Sequence, residues 1–237
     1  MKRKIYETLK LILCLLFFLF IGEILRFAFG IFGIDVNSFS NKNFVVYQLV
    51  VSLFMFIILF KLYYKTIKED YNRFKKNIIK NALKILKLFI FFMFIKYIVS
   101  IVSVLIMMAF NLDTSSLTSV NQELIETYLK TSPILMFIST VLLAPFYEEI
   151  LFRLGFKKLL KNKYIYIILS GTIFGLLHIF PLEEGISLAL GITQSISYVT
   201  MGIILSYIYF KNDNIFMSIG VHFLNNLLSI IAMLSMF

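Results

Sequence analysis

The sequence predicts an all-α fold: a polytopic transmembrane helix bundle of about seven spans plus a cytoplasmic amphipathic helix. Three observations carry that expectation. Of the 237 residues, 60% are hydrophobic and only 15% charged, whereas soluble domains average about 45–50% apolar and about 25% charged residues. Seven apolar stretches are each long enough to cross a hydrocarbon core of about 30 Å. The connections between those stretches alternate in charge, as membrane topology requires.

The stretches run over 11–34, 44–63, 88–110, 133–156, 164–181, 186–210 and 215–236. Helices are expected because lipid offers no partner for exposed backbone groups, and nothing alternates with the two-residue period of barrel strands. The first stretch follows the basic segment MKRKIYETLK. It has no small-residue cleavage site and stays apolar to Ile34, so it is expected to be a retained anchor. Between the second and third stretches, segment 65–87 places Ile67, Tyr71, Phe74, Ile78, Ala82 and Leu86 at three- and four-residue spacings among lysines. That pattern predicts an amphipathic helix lying against anionic lipid headgroups, with a solvated extension of the neighbouring spans as the alternative. Segment 111–131 is polar and mildly acidic, which predicts an external loop with a short helix over 119–130.

The formal net charge is +10. The cations flank apolar segments instead of forming one basic surface, which argues against a nucleic-acid partner. Lys2, Arg3, Lys4 and Lys10, the lysines and arginine of 61–87, Lys157, Lys158, Lys161, Lys163 and Lys211 all fall on one side of a seven-span topology. The other side carries Lys42, Lys130, Asp35, Asp113, Glu123, Glu126, Glu183 and Glu184. The positive-inside rule then predicts a cytoplasmic N-terminus and an external C-terminus. The single cysteine, Cys14, excludes a disulfide framework or a cysteine metal site. With three prolines and no Pro/Gly/Ser-rich linker, one continuous domain is expected. Residues 1–110 carry no chemical motif, and the polar constellation falls within 133–237.

That constellation begins with Glu148, Glu149 and Arg153 inside the fourth stretch. Charged groups deep in a bilayer cost several kcal/mol and are usually functional. Residues four apart share a helix face, so Glu149 and Arg153 are expected to pair, leaving Glu148 free to face a cavity. Pro145 removes a backbone donor and should kink or open the helix there. The two histidines lie in later stretches. Phe174 and His178 share one face, with Gly171 and Gly175 permitting close approach of a neighbouring helix, and His222 shares a face with Asn226. A carboxylate held away from water suits proton transfer, a histidine can polarise water or bind a metal, and an amide can stabilise an oxyanion. Hydrolysis of a peptide bond requires an activated water and donors for the tetrahedral intermediate, and these residue types cover both. Taken singly, each residue has a structural reading: His as an interhelical hydrogen bond, Glu149–Arg153 as a structural pair, Asn225 and Asn226 as interhelical links.

The order Glu148-Glu149-x-x-x-Arg153, Phe174-x-x-x-His178 and His222-x-x-x-Asn226, over about 133–236, resembles the CAAX protease and bacteriocin-processing (CPBP) family of intramembrane endopeptidases. That family includes type II CAAX prenyl proteases and bacterial self-immunity proteins of the Abi type. The resemblance implies that 133–237 is a catalytic core in which Glu148 and His178 activate water. It further implies that His222 and Asn226 stabilise the oxyanion, and that Glu149, Arg153 and Phe174 support them. It leaves metal dependence open. A metal-free mechanism without cofactor is favoured because no H-E-x-x-H helix is present and asparagine is a poor zinc ligand; a divalent metal such as zinc would take Glu148, His178 and His222. The implied partner is a membrane-delivered peptide or protein, such as a bacteriocin or pheromone precursor or a membrane-anchored regulator, in a bacterial plasma membrane. Two alternatives stand beside it: a catalytically silent immunity or scaffold protein, and an ion-coupled transporter, for which the sequence offers no inverted repeat.

One geometric difficulty is visible in advance. With upright spans, Glu148 and His178 lie at depths differing by roughly 10 Å at about 1.5 Å per residue, too far to share a water. Tilt, a break at Pro145, or a fifth helix that starts inside the leaflet would close the gap.

Overall fold

A computed structural model describes residues 2–112, 120–179, 182 and 187–236. The expected acidic residues Asp113, Glu183 and Glu184 lie outside them. Among the described residues the regular structure is all helix, with no strand. Helix α1 spans Lys2–Ile31, α2 Asn41–Lys75, α3 Ile78–Ala109, α4 Val120–Thr131, α5 Pro133–Leu159, α6 Lys163–Leu176, α7 Leu188–Asn212 and α8 Ile215–Leu234.

Six of these are long and apolar enough to cross a membrane: α1, α2, α3, α5, α7 and α8. The stretch expected to form a fifth span at 164–181 is a helix of only 14 residues, α6, that ends at Leu176 and passes into a turn over 177–179. Where about seven spans were expected, the bundle has six candidate spans and this shorter apolar helix. Apolar composition alone did not register that the chain turns at His178.

The amphipathic helix expected over 65–87 is corrected. α2 runs on without interruption to Lys75 and α3 begins at Ile78, so the lysine-rich segment is the ends of two long helices, the extension that stood as its alternative. The break falls at Asn77 (φ −139°, ψ 53°), where the Asn81 amide donates to Phe74 O at 2.8 Å. Its apolar stripe serves no single surface: Ile67 is buried, while Tyr71, Ile78 and Leu86 are exposed. The short helix expected over 119–130 is present as α4.

Burial identifies the centre of the bundle. In the spans of α1 and α3, 17% and 11% of residues are buried, against 44% in α5 and α8. The largest core cluster joins α1, α2, α5, α6, α7 and α8, with Ile150, Leu151, Phe152, Phe174 and Tyr166 at its centre. A second cluster, Phe92 with Leu205, Met217 and Val221, fastens α3 to α7 and α8. A third gathers Val45, Leu129, Met136, Val141 and Ile230, from α2, α4, α5 and α8.

Polar side chains finish the helix ends, where four N–H groups lack intrahelical partners. Asn162 accepts from Tyr164 N and Ile165 N at the start of α6. Asn214 accepts from Phe216 N at the start of α8. Buried Asp70 of α2 reaches across to accept from Ile215 N at 2.7 Å, and Asn214 donates back to Asp70 O at 2.8 Å. This brace sets where α8, the helix bearing His222 and Asn226, begins.

Candidate active site

Helix α5 carries the acidic pair on an unusual backbone. Wide π-helical turns over Phe137–Leu143 and Ile150–Gly155 flank a six-residue α-helical piece, Ala144–Glu149. Such turns within α-helices often mark functional sites. The opening expected at Pro145 takes this form: Ala144 N–H donates to Ser139 O, five residues back. In that register the next donor belongs to residue 145, and proline has none. The Thr140 carbonyl is taken instead by Asn226, whose Nδ2 donates to it at 2.9 Å.

Glu149 and Arg153 are both fully buried and pair as the four-residue spacing predicts. Arg153 Nε donates to Glu149 Oε2 at 2.9 Å and Nη2 to Oε1 at 3.1 Å, a bidentate geometry. The remaining guanidinium nitrogen donates to Ser170 Oγ of α6 and Ser206 Oγ of α7, each at 3.1 Å. Both hydroxyl hydrogens have carbonyls to donate to, Phe152 O for Ser170 and Gly202 O for Ser206, so lone pairs can face the cation. The guanidinium also lies 4.9 Å from the Phe174 ring centroid. Three helices are thereby tied to one charge.

The histidines converge on Glu148, which is itself buried. Its Oε2 lies 3.8 Å from His178 Nε2 and 3.8 Å from His222 Nε2. Each imidazole is fixed through its other nitrogen. His178 Nδ1 is 2.8 Å from Phe174 O, and a carbonyl can only accept, so the hydrogen sits on Nδ1. His222 Nδ1 is 3.2 Å from Glu149 Oε1, a carboxylate engaged with Arg153, which again places the hydrogen on Nδ1. In its neutral form each ring would then turn an Nε2 lone pair toward Glu148. Phe174 meets the His222 ring edge-on at 5.9 Å, and Tyr198 stacks on His178 at 5.0 Å with 20° between planes. The His178 side chain, 18% accessible, is more open than Glu148 or His222.

The anticipated depth mismatch does not occur: Glu148 Oε2 and His178 Nε2 lie 3.8 Å apart, with His178 in the turn beyond α6. Gly171 and Gly175 draw α6 onto α7, where an added Cβ would strike the backbone of Ile203 and Val199. Glu148, His178, His222, Glu149, Arg153 and Phe174 therefore form one cluster, and Asn226 joins α5 from α8 one turn beyond His222. Sequence reasoning missed Ser170, Ser206, Tyr198 and Lys96. Lys96 Nζ donates to Asn225 Oδ1 at 2.9 Å; as a lone cation inside an apolar run, it carried a readable signal. The serines carried none.

Among the described residues no three His, Cys, Asp or Glu side chains are gathered as a group that could hold a metal ion. Two imidazoles and a carboxylate are chemically competent ligands, and Glu148, His178 and His222 are the residues that would supply them.

Residues 130–228 match the family model described as Type II CAAX prenyl endopeptidase Rce1-like. No curated protein and no solved structure matches the chain. The matched segment contains Glu148, Glu149, Arg153, Phe174, His178, His222 and Asn226, and with the six candidate spans it supports an integral, multi-pass membrane protein of CAAX-endopeptidase type. Over residues 130–228 the chain is similar to the type II CAAX prenyl endopeptidases that this family model describes.

Proposed function

We propose that the protein hydrolyses a peptide bond in a membrane-delivered substrate by a water that Glu148 activates. The observation that carries this reading is the position of Glu148 Oε2, 3.8 Å from each of two Nε2 atoms. That separation exceeds a direct hydrogen bond and brings all three atoms within reach of one water. Glu148 accepts a proton from the water, and His178 Nε2, fixed as an acceptor, aligns it for attack on the scissile carbonyl. An oxyanion and a tetrahedral carbon result. An amide nitrogen carries two hydrogens. One on Asn226 is given to Thr140 O, and the other is available to the oxyanion. His222 takes that proton on from Glu148 at Nε2 and becomes a second donor to the oxyanion, its imidazolium held by Glu149 and Arg153, and hands it back to Glu148 as the tetrahedral carbon collapses. Glu148 then returns the proton to the departing amine, so the proton count closes.

Within this reading the lysines around the α2–α3 corner face the cytoplasm, against anionic headgroups, with the C-terminus outside. The substrate class extends from CAAX-type C-termini to bacteriocin or pheromone precursors and membrane-anchored regulators. The test is cleavage of an internally quenched, lipidated CAAX-type peptide by the full chain in detergent, comparing wild type with Glu148→Gln and His178→Ala. Each variant is expected to lose at least about 100-fold in rate. Undiminished cleavage by both would remove these residues from the mechanism.

A further inference from the structure

We infer that Lys96, on the peripheral helix α3 and outside the family-matched segment, is a positioning residue that sets the direction of the Asn226 amide through Asn225. The inference rests on the hydrolytic reading above. It starts from an unabsorbed charge: α3 is an apolar helix with 11% of its span buried, and Lys96 stands well inside it. An ionisable side chain at such a place is costly unless it has a partner and a role. Its partner is Asn225 Oδ1 at 2.9 Å.

The chain of contacts then continues in one sense. Asn225 Nδ2 donates to Asn226 Oδ1 at 3.0 Å, and Asn226 Nδ2 donates to Thr140 O at 2.9 Å. Amide groups can present either end, so the direction of two adjacent asparagines is set by what flanks them, the acceptor-only Thr140 carbonyl at one end and Lys96 at the other. An ammonium group is a donor only. Facing Lys96, Asn225 must present oxygen; its nitrogen then meets Asn226, which must present oxygen in turn. The Asn226 nitrogen is left pointing at α5, where Pro145 has vacated the Thr140 carbonyl. Each link polarises the next. The consequence is chemical: Asn226 offers hydrogens, not a carbonyl oxygen, on the face it shares with His222. Reversal would present a lone pair to a developing oxyanion.

This also assigns a task to α3. The cluster of Phe92 with Leu205, Met217 and Val221 holds α3 against α7 and α8. Lys96 lies one turn beyond Phe92, so the apolar contact delivers the ammonium to Asn225.

The experiment compares Lys96→Met, Lys96→Arg and Lys96→Gln in the full chain. Methionine keeps an unbranched apolar stem that suits the bilayer, arginine keeps a donor-only head, and glutamine can present either end. Folding is checked by thermal unfolding in detergent. In ¹⁵N-labelled protein the Asn226 side-chain amide signals, assigned by their loss in Asn226→Ala, are expected to move in Lys96→Met and Lys96→Gln and to stay near the wild-type position in Lys96→Arg. With the quenched peptide, Lys96→Met is expected to lower kcat about tenfold with KM unchanged, a fraction of what one oxyanion donor supplies. Lys96→Arg should restore most of it. The double variant Lys96→Met/Asn226→Ala should be no slower than Asn226→Ala alone. Unmoved Asn226 signals in folded Lys96→Met, or losses that multiply in the double variant, would overturn the inference. If the wild type itself leaves the peptide intact, the hydrolytic reading fails on that probe and the amide spectrum alone decides the role of Lys96.

Discussion

His222 Nδ1 lies 3.2 Å from Glu149 Oε1, and the same carboxylate is gripped by Arg153 through two hydrogen bonds. A single buried carboxylate therefore orients an imidazole from α8 and neutralises a cation from its own helix. Structure and reactivity meet in that one group.

Removing one member of this set should cost more than removing a surface pair. Arg153→Met leaves Glu149 buried without its cation, which by analogy with other buried pairs costs about 3–5 kcal/mol. Glu149→Gln keeps the shape but loses the charge that would hold a protonated His222. The expected outcome is a sharply lowered unfolding temperature for Arg153→Met. Glu149→Gln should instead show a larger fall in kcat than in stability, read by thermal unfolding and peptide cleavage on the same preparations.

Gly175 should be intolerant of even one methyl group. A Cβ there meets Val199 N and Cα, which are backbone atoms that cannot rotate away. Gly175→Ala is expected to lose about 1–3 kcal/mol by overpacking. It should also push the α6 end, and with it His178, off Glu148, lowering cleavage by about 100-fold for a displacement near 1 Å. The check is whether rate falls further than the folded fraction does.

Asp70 supports α8 from a different direction. Its carboxylate accepts from Ile215 N and pairs with Arg73 at 2.5 Å. Asp70→Ala removes a helix-start acceptor and is expected to cost about 1–2 kcal/mol. Because the brace lies some two turns from His222, cleavage per folded molecule should stay within about twofold of wild type. A large specific loss of rate would show that the start of α8 is coupled to the site.

Tyr198 stacks on the more open of the two histidines. Tyr198→Phe keeps the ring and should retain most activity. Tyr198→Ala removes a contact worth about 0.5–1.5 kcal/mol and frees His178 to rotate, and kcat should fall several-fold. Equal rates for the two variants would separate the stack from His178 function.

The legible parts of this protein are the local ones. The Glu149–Arg153 pair follows from four-residue spacing, and the Gly171/Gly175 seam from small residues one turn apart. The polar positions inside apolar runs were visible because lipid penalises charge. The helix ends were not: Lys76-Asn77 sits among good helix formers, so nothing local announces the α2–α3 corner. The end of α6 is masked because Leu177, Ile179 and Phe180 carry the apolar run past it, although His178 and Pro181 interrupt that run. Arg153 contacts Ser206 across 53 positions and Lys96 reaches Asn225 across 129. Pairings of that kind arise from packing between helices and leave no periodic trace.

At 14 residues α6 reaches about 21 Å, against a hydrocarbon thickness near 30 Å, and Tyr164, Ile165, Ile168 and Leu169 on it are exposed. Acyl chains beside this stub must compress, or headgroups must dip toward the turn that holds His178. On the hydrolytic reading proposed above, the surrounding leaflet would take part in the chemistry: short-chain lipids would wet the imidazole, long-chain lipids would strand it, and cleavage would be tuned by fatty-acid length without any change in the polypeptide.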